Sequence, residues 1–140
     1  MDKEINKEKL LKSMTLMIFF VFILNSLALK FHWYSSVWWF DIPMHFMGGF
    51  WIGLAWIWLF VPSNLPNLPK KVGGWGKSIL KIILGVLLIG VLWEIFEIIV
   101  NETITKNQFN YLDTFSDICF DLAGGFTALY YCLKRIVYTK

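Results

Sequence analysis

Six ionisable residues stand at helical spacings inside otherwise apolar stretches of this chain: Asp41 and His45, Glu94 and Glu97, Asp117 and Asp121. Residues three or four apart share one face of a helix, so each pair presents two polar groups in one direction. Together they supply five carboxylates and one imidazole. No Lys or Arg occurs between positions 31 and 69, 82 and 105, or 107 and 133, so no basic side chain of these stretches offsets them. A charged side chain at the centre of a spanning helix costs about 2.5–3.5 kcal/mol on insertion scales. Such a cluster is therefore offset by protonation, a bound cation or a cationic substrate group. Oxygen-rich ligation with one imidazole suits a divalent metal ion, Mg²⁺, Mn²⁺, Ca²⁺ or Zn²⁺. We take Asp41, His45, Glu94 and Asp121 as candidate metal ligands, and Asp117 and Glu97 as candidate general bases or supporting groups.

Milder roles exist for several of these residues. Asp41 can cap a helix whose first turn holds Pro43. Thr114-Phe115-Ser116-Asp117 has the form of a capping box, and Asp113 suits a solvated turn or cap. His45 alone would be an ordinary buried histidine, and Glu97 can reach the aqueous interface. Glu94 and Asp121, about two turns deep, have no such simple account.

The elements that carry the pairs are legible from composition. Of 140 residues, 57% are hydrophobic, 19% aromatic and only 16% charged, with a mean hydropathy of +0.58. Soluble domains carry roughly 25% charged residues, and a soluble globule of this size cannot hide so much apolar surface. These values exclude disorder and disulfide scaffolds. The formal net charge of +3 is not gathered into a basic stripe, so nucleic acid is excluded as a partner. Cys119 and Cys132 are about 20 Å apart at helical rise and cannot pair; both read as small buried apolar residues.

Four stretches approach the roughly 20 apolar residues that a span needs: about 13–29, 41–61, 78–100 and 114–133. The Pro- and Gly-rich stretch 62–77 is a loop. Lys and Arg number four in the N-terminal tail, four from Lys70 to Lys81 and three from Lys134 onward, with only Lys30 and Lys106 elsewhere. Eleven against two puts both termini and the central loop in the cytoplasm. Trp33, Tyr34, Trp38 and Trp39 then mark the outer interface. Ser26-Leu27-Ala28 has the form of a signal-peptidase site, but the leader mixes Asp2, Glu4 and Glu8 with its lysines, and we read a retained first span. The expected fold is all-α: one integral membrane domain over 1–140, a four-helix transmembrane bundle with N-in/C-in topology.

Residues 41–50 (DIPMHFMGGF) align without gaps on 117–126 (DICFDLAGGF), sharing Asp, Ile, both glycines and Phe. Both segments run inward, so the expected repeat is parallel, relating two helical hairpins about the membrane normal. The glycine pairs allow close helix approach beneath the acids. All three polar pairs then fall at matching depths in the outer half.

The order Asp-x-x-x-His…Gly-Gly, Glu-x-x-Glu, Asp-x-x-x-Asp-x-x-Gly, over about residues 38–130, resembles the YjdF-like family of small bacterial membrane proteins of unknown function. More loosely it is similar to the VanZ-like family, associated with resistance to glycopeptide antibiotics. It departs from VanZ-like proteins in having no basic residue after Asp41, Glu97 in place of a glutamine, and no arginine before the last acidic pair. The resemblance implies a compact helical domain in a bacterial plasma membrane, with these acids as its defining residues. Three functions are compatible with this sequence. The first is a metal-dependent enzyme acting on a lipid or lipid-linked substrate at the outer leaflet. The second is a cation- or proton-coupled carrier or sensor, and the third a non-catalytic accessory subunit.

Overall fold

The computed structural model describes residues 3–62, 64–65, 73–105 and 110–139. A strand, β1 (Lys3–Ile5), leads into α1 (Lys7–Lys30). A short helix, α2 (Trp33–Ser36), precedes α3 (Asp41–Phe60). After β2 (Asn64–Leu65) comes α4 (Gly73–Val100), extended by a π-helical turn over Asn101–Thr105. Next is α5 (Tyr111–Tyr131), then a second π-helical turn (Cys132–Ile136) and β3 (Val137–Thr139).

Three helical stretches are long and apolar enough to cross a membrane: Lys7–Lys30, Asp41–Phe60 and Ile79–Ile104. They match the first three expected spans, with the first starting earlier and the third ending later. Helix α5 has 21 residues, about 31 Å at helical rise. It is long enough to span, but Asp113, Asp117 and Asp121 break its apolar run.

The helices pack with alternating direction. On α5, the space beside Gly49 of α3 is taken by the Asp121 backbone, and that beside Gly53 by Gly125 and Ala128. Helices α3 and α5 thus run parallel, with backbones in contact. Helix α4 runs against them, with Gly90 beside Asp121 and Val86 beside Gly125. Helix α1 also opposes α3: the Trp51 indole donates to the Met14 carbonyl at 3.1 Å, and Lys7 Nζ donates to the Val61 carbonyl at 2.6 Å. Lys7 reaches the Ile57 and Trp58 carbonyls as well. It supplies a cation to the C-terminal end of α3, whose own last turn has none.

The chain ends meet in a small antiparallel sheet of order β2-β1-β3. Lys3 pairs with Leu65 on one side and Thr139 on the other. This sheet is an addition to the expected all-helical architecture. Segments of two or three residues are too short for an alternating pattern to register. The sheet gathers the N-terminal segment, the α3–α4 connection and the C-terminal segment at one end of the bundle. Most of the lysine-rich stretch between α3 and α4 lies outside the described residues.

Burial divides the bundle. Leu10, Leu54, Ile57, Ile82, Val86, Ala128, Leu129 and Ile136 form an apolar core in the half nearer the sheet. The buried polar residues His45, Glu94, Asp117 and Asp121 occupy the opposite half. Large apolar side chains face outward, among them Leu16, Phe19 and Phe22 of α1 and Leu84, Leu88 and Leu92 of α4, as lipid contact requires. Both cysteines are free, and Cys132 is buried as expected. Cys119 is exposed instead, because two residues after Asp117 the helix has turned to its outer face.

A Cβ on Gly49 or Gly124 would collide with backbone across the α3–α5 contact, whereas one on Gly76 meets nothing within 4 Å. Gly49→Ala is therefore expected to lower the stability of the detergent-solubilised protein by about 1–3 kcal/mol, an overpacking penalty. Gly76→Ala should leave it within about 0.5 kcal/mol of the parent. Thermal or denaturant unfolding of the two variants checks the contrast.

Candidate metal centre

Helix α3 begins at Asp41, with Phe40 at its N-cap position and no capping side chain. Asp41 is thus a first-turn acid, favoured by the helix dipole, and its side chain is 33% exposed. One turn deeper, His45 is 5% exposed. Helix α5 starts earlier than a Thr114 capping box would place it. Asn110 is its N-cap, and the Asn110 side chain accepts from the Leu112 amide at 3.2 Å. Asp113 therefore lies exposed in the first turn. Asp117 and Asp121 fall in the second and third turns, 3% and 4% exposed. Capping does not account for Asp117.

The imidazole of His45 is the centre of the group. Its Nε2 lies 3.7 Å from Asp41 Oδ1, 3.9 Å from Glu94 Oε1 and 4.0 Å from Asp117 Oδ2. Its Nδ1 lies 3.5 Å from Asp121 Oδ1. Acids from α3, α4 and α5 thus surround one ring. The Nε2 separations are too long for hydrogen bonds. Ligand atoms of Asp41, His45 and Asp117 lie within 4.8 Å of one another, as do those of His45, Glu94 and Glu97.

Glu94 is 4% exposed, and its Oε1 has no hydrogen-bond partner. This Oε1 lies 3.9 Å from His45 Nε2. A buried carboxylate oxygen without a partner is a large electrostatic liability. Among the described residues, the ion pairs made by the cluster are all with His45. Glu97, one turn nearer the helix end, is partly buried.

The rim is aromatic. Trp33 and Tyr34 of α2 pack edge-on against Phe40, with ring centroids 5.3 and 5.1 Å apart. The Tyr34 hydroxyl donates to Asn25 Oδ1 at 2.8 Å, tying α2 to α1. Burial, with the negative charges of Asp41 and Glu97 nearby, pushes the Tyr34 phenol up to about 12, so it remains a donor. His32 lies beside this rim in the left-handed region at φ 56°, where its backbone redirects the chain out of α1.

All six expected site residues converge on this end of the bundle. Asp117 and Glu97, expected as bases, stand at ligand distance from His45, while Asp121, expected as a ligand, approaches the other ring nitrogen. Sequence spacing could set depth and face; which imidazole nitrogen each acid meets depends on helix rotation.

A family model described as a predicted membrane protein, DUF2238, matches residues 5–136. The chain belongs to the DUF2238 family. This places the protein in a lipid bilayer and bears out the YjdF-like resemblance. No curated protein and no solved structure matches it. For this DUF2238 protein the site itself must carry the functional argument.

Glu94→Gln removes a buried charge and adds donors facing the surrounding carboxylates. In chelator-treated protein it is expected to raise unfolding stability by on the order of 1 kcal/mol. Denaturant titration beside the parent checks this, and a drop in stability would contradict the uncompensated state of Oε1.

Proposed function

We propose that this DUF2238 protein binds a divalent cation at the acidic end of its bundle and uses it as a membrane-embedded enzyme on a lipid or lipid-linked substrate. The observation that carries the reading is Glu94 Oε1, buried, without a partner and 3.9 Å from His45 Nε2. A polar cluster that served packing alone would satisfy each of its oxygens. Here one is left over, aimed where further carboxylates converge.

In this reading His45 Nε2, Asp41, Glu94 and Asp117 hold the cation. It supplies Lewis-acid polarisation of a substrate oxygen and offsets the carboxylate charge. Glu97, at the wetter edge, takes up a proton from the attacking group. No Lys or Arg occurs between positions 31 and 69, 82 and 105, or 107 and 133, so the stretches that carry the acids supply no phosphate clamp and contact with an anionic headgroup runs through the cation. The chain is a single membrane domain, with α5 as a fourth span beside α3. The lysine-rich segments support a cytoplasmic position for the sheet end and the α3–α4 connection, whose expected loop is shortened because α4 already begins at Gly73. The acidic end then lies at outer-leaflet headgroup depth in the plasma membrane, where the rim of Trp33, Tyr34 and Phe40 meets the interface. Parallel packing of α3 and α5 supports an internal repeat of two hairpins.

The enzyme reading is favoured over a carrier by the apolar half of the bundle. Leu54, Ile57, Ile82, Val86, Ala128 and Leu129 close the axis below the acids, and a translocation route needs polar groups or water there. Metal analysis of protein purified in detergent tests the reading directly. About one divalent ion per chain is expected in the parent, and none in a folded Glu94→Gln/Asp117→Asn variant. Added cation at 100 times its Kd should stabilise the parent by about 2.7 kcal/mol and leave the variant unchanged. A parent that neither retains nor responds to divalent ions would sink the proposal.

A further inference from the structure

We infer that Asp121 is a positioning residue: through Nδ1 it holds the His45 imidazole so that Nε2 is the free donor nitrogen, and Gly90 leaves the space its carboxylate needs. This rests on the cation reading above and assigns Asp121 a role apart from the ligands.

A neutral imidazole has one N–H and one lone pair, and only the lone pair can bind a metal. Three carboxylates face Nε2, at 3.7, 3.9 and 4.0 Å. One faces Nδ1, at 3.5 Å, the shortest of the four approaches. A cation gathers the most oxygen donors on the Nε2 side, so the proton belongs on Nδ1, directed at Asp121. Carboxylate, histidine and metal in series is a recurrent arrangement, because the outer acid fixes the tautomer and raises the basicity of the donor nitrogen.

The packing around Asp121 restrains its carboxylate. Its backbone carbonyl lies against Gly49. Its Oδ1, beside His45, would stand 4.0 Å from a Cβ on Gly48. Its Oδ2 points at α4, where a Cβ on Gly90 would stand only 2.6 Å away. The three atoms nearest to that Cβ position are all Asp121 side-chain atoms. Gly90 therefore makes room for this carboxylate, unlike Gly49 and Gly124, whose Cβ positions meet backbone. Held against α3 and α4, the carboxylate stays at Nδ1 instead of joining the oxygens around Nε2.

The test uses the full chain in nanodiscs with Zn²⁺ as probe. The chain has only two histidines, His32 and His45, so ¹⁵N-histidine labelling with a His32→Gln control assigns the His45 ring. With Zn²⁺ bound, the parent should show Nε2 metallated and Nδ1 protonated. Gly90→Ala, which leaves every charge in place, and Asp121→Asn should each weaken Zn²⁺ binding about 10–100-fold. In an Asp121→Ala background, Gly90→Ala should weaken it no further, since the carboxylate it displaces is gone. A general packing defect would instead be additive. Zn²⁺ on Nδ1 in the parent, parental affinity in Gly90→Ala, or additivity in the double variant overturns the inference while leaving the cation reading intact. If the Gly90 and Asp121 variants do not fold, the nitrogen of His45 that binds Zn²⁺ in the parent decides. A parent that binds no Zn²⁺ overturns both.

Discussion

Contact between the backbones of α3 and α5 is the constraint on which the rest of this bundle depends. At Gly49 and Gly124 no side chain intervenes, and a Cβ at either would run into the other helix. So close a crossing, just below the polar turns, leaves residues of the first turns of α3 and the second and third turns of α5 facing each other across a few ångströms. His45 and Asp121 meet because their helices cannot be farther apart. Separation by even one side-chain layer would move the carboxylates away from the imidazole and let water or lipid between them. Lipid tails are as apolar as the helix surfaces, so close packing of small residues is the available source of helix affinity. The glycines thus serve stability and site assembly at once.

The electrostatic consequence is a site whose ionisable acids outnumber its one imidazole. Of the six ionisable groups, five carry negative charge when ionised and one can carry positive charge. Among the described residues no arginine or lysine pairs with these acids: Lys7 sits at the far end of α3 on the Ile57, Trp58 and Val61 carbonyls. In the reading proposed above, a bound cation offsets the acidic end. A partner of positive charge and small size fits that imbalance better than any rearrangement of the side chains.

Much of this was legible in the chain itself because helical periodicity is a strong signal in a membrane segment. An acid inside an apolar run is conspicuous, and spacings of three and four assign it to a face without knowledge of the neighbours. That reasoning put all six residues at one end and paired α3 with α5 through their glycines. It failed where local rules compete. Thr114 through Asp117 has the form of a capping box, yet Asn110 captures the helix start one turn earlier, and the capping alternative for Asp117 gives way to a buried place in the second turn. Cys119 looked buried by type, but the face it occupies is set by Asp117 and Asp121, which turn it outward. The sheet was invisible, since pairing such as Glu4 with Asn64 and Tyr138 joins segments far apart in the chain. Gly90 carried no signal at all: in α4 it reads as one more small residue, and only the position of Asp121 gives it a purpose.

The division of the bundle into an apolar half and an acidic half bears on how such a site can persist. Burying mutually repelling carboxylates is unfavourable, and a helix pair held only near those carboxylates would splay apart whenever they ionised without a cation. Here the restoring force lies elsewhere. Leu54, Ile57, Ile82, Val86, Leu129 and Ile136 lock the three helices below the site, and the sheet ties both chain ends to the α3–α4 connection. Repulsion at the open end therefore acts against a clamped base. Loss of the counter-charge would loosen the first turns of α3 and α5 and the outer end of α4 while the base stays closed. In the proposed reading a ligand enters at that less restrained end, and the rim around Tyr34, fastened through Asn25 to α1, is held by a helix that contributes none of the acids. Such a bundle can keep its acids poised for a cation without that cation being needed to hold the fold together.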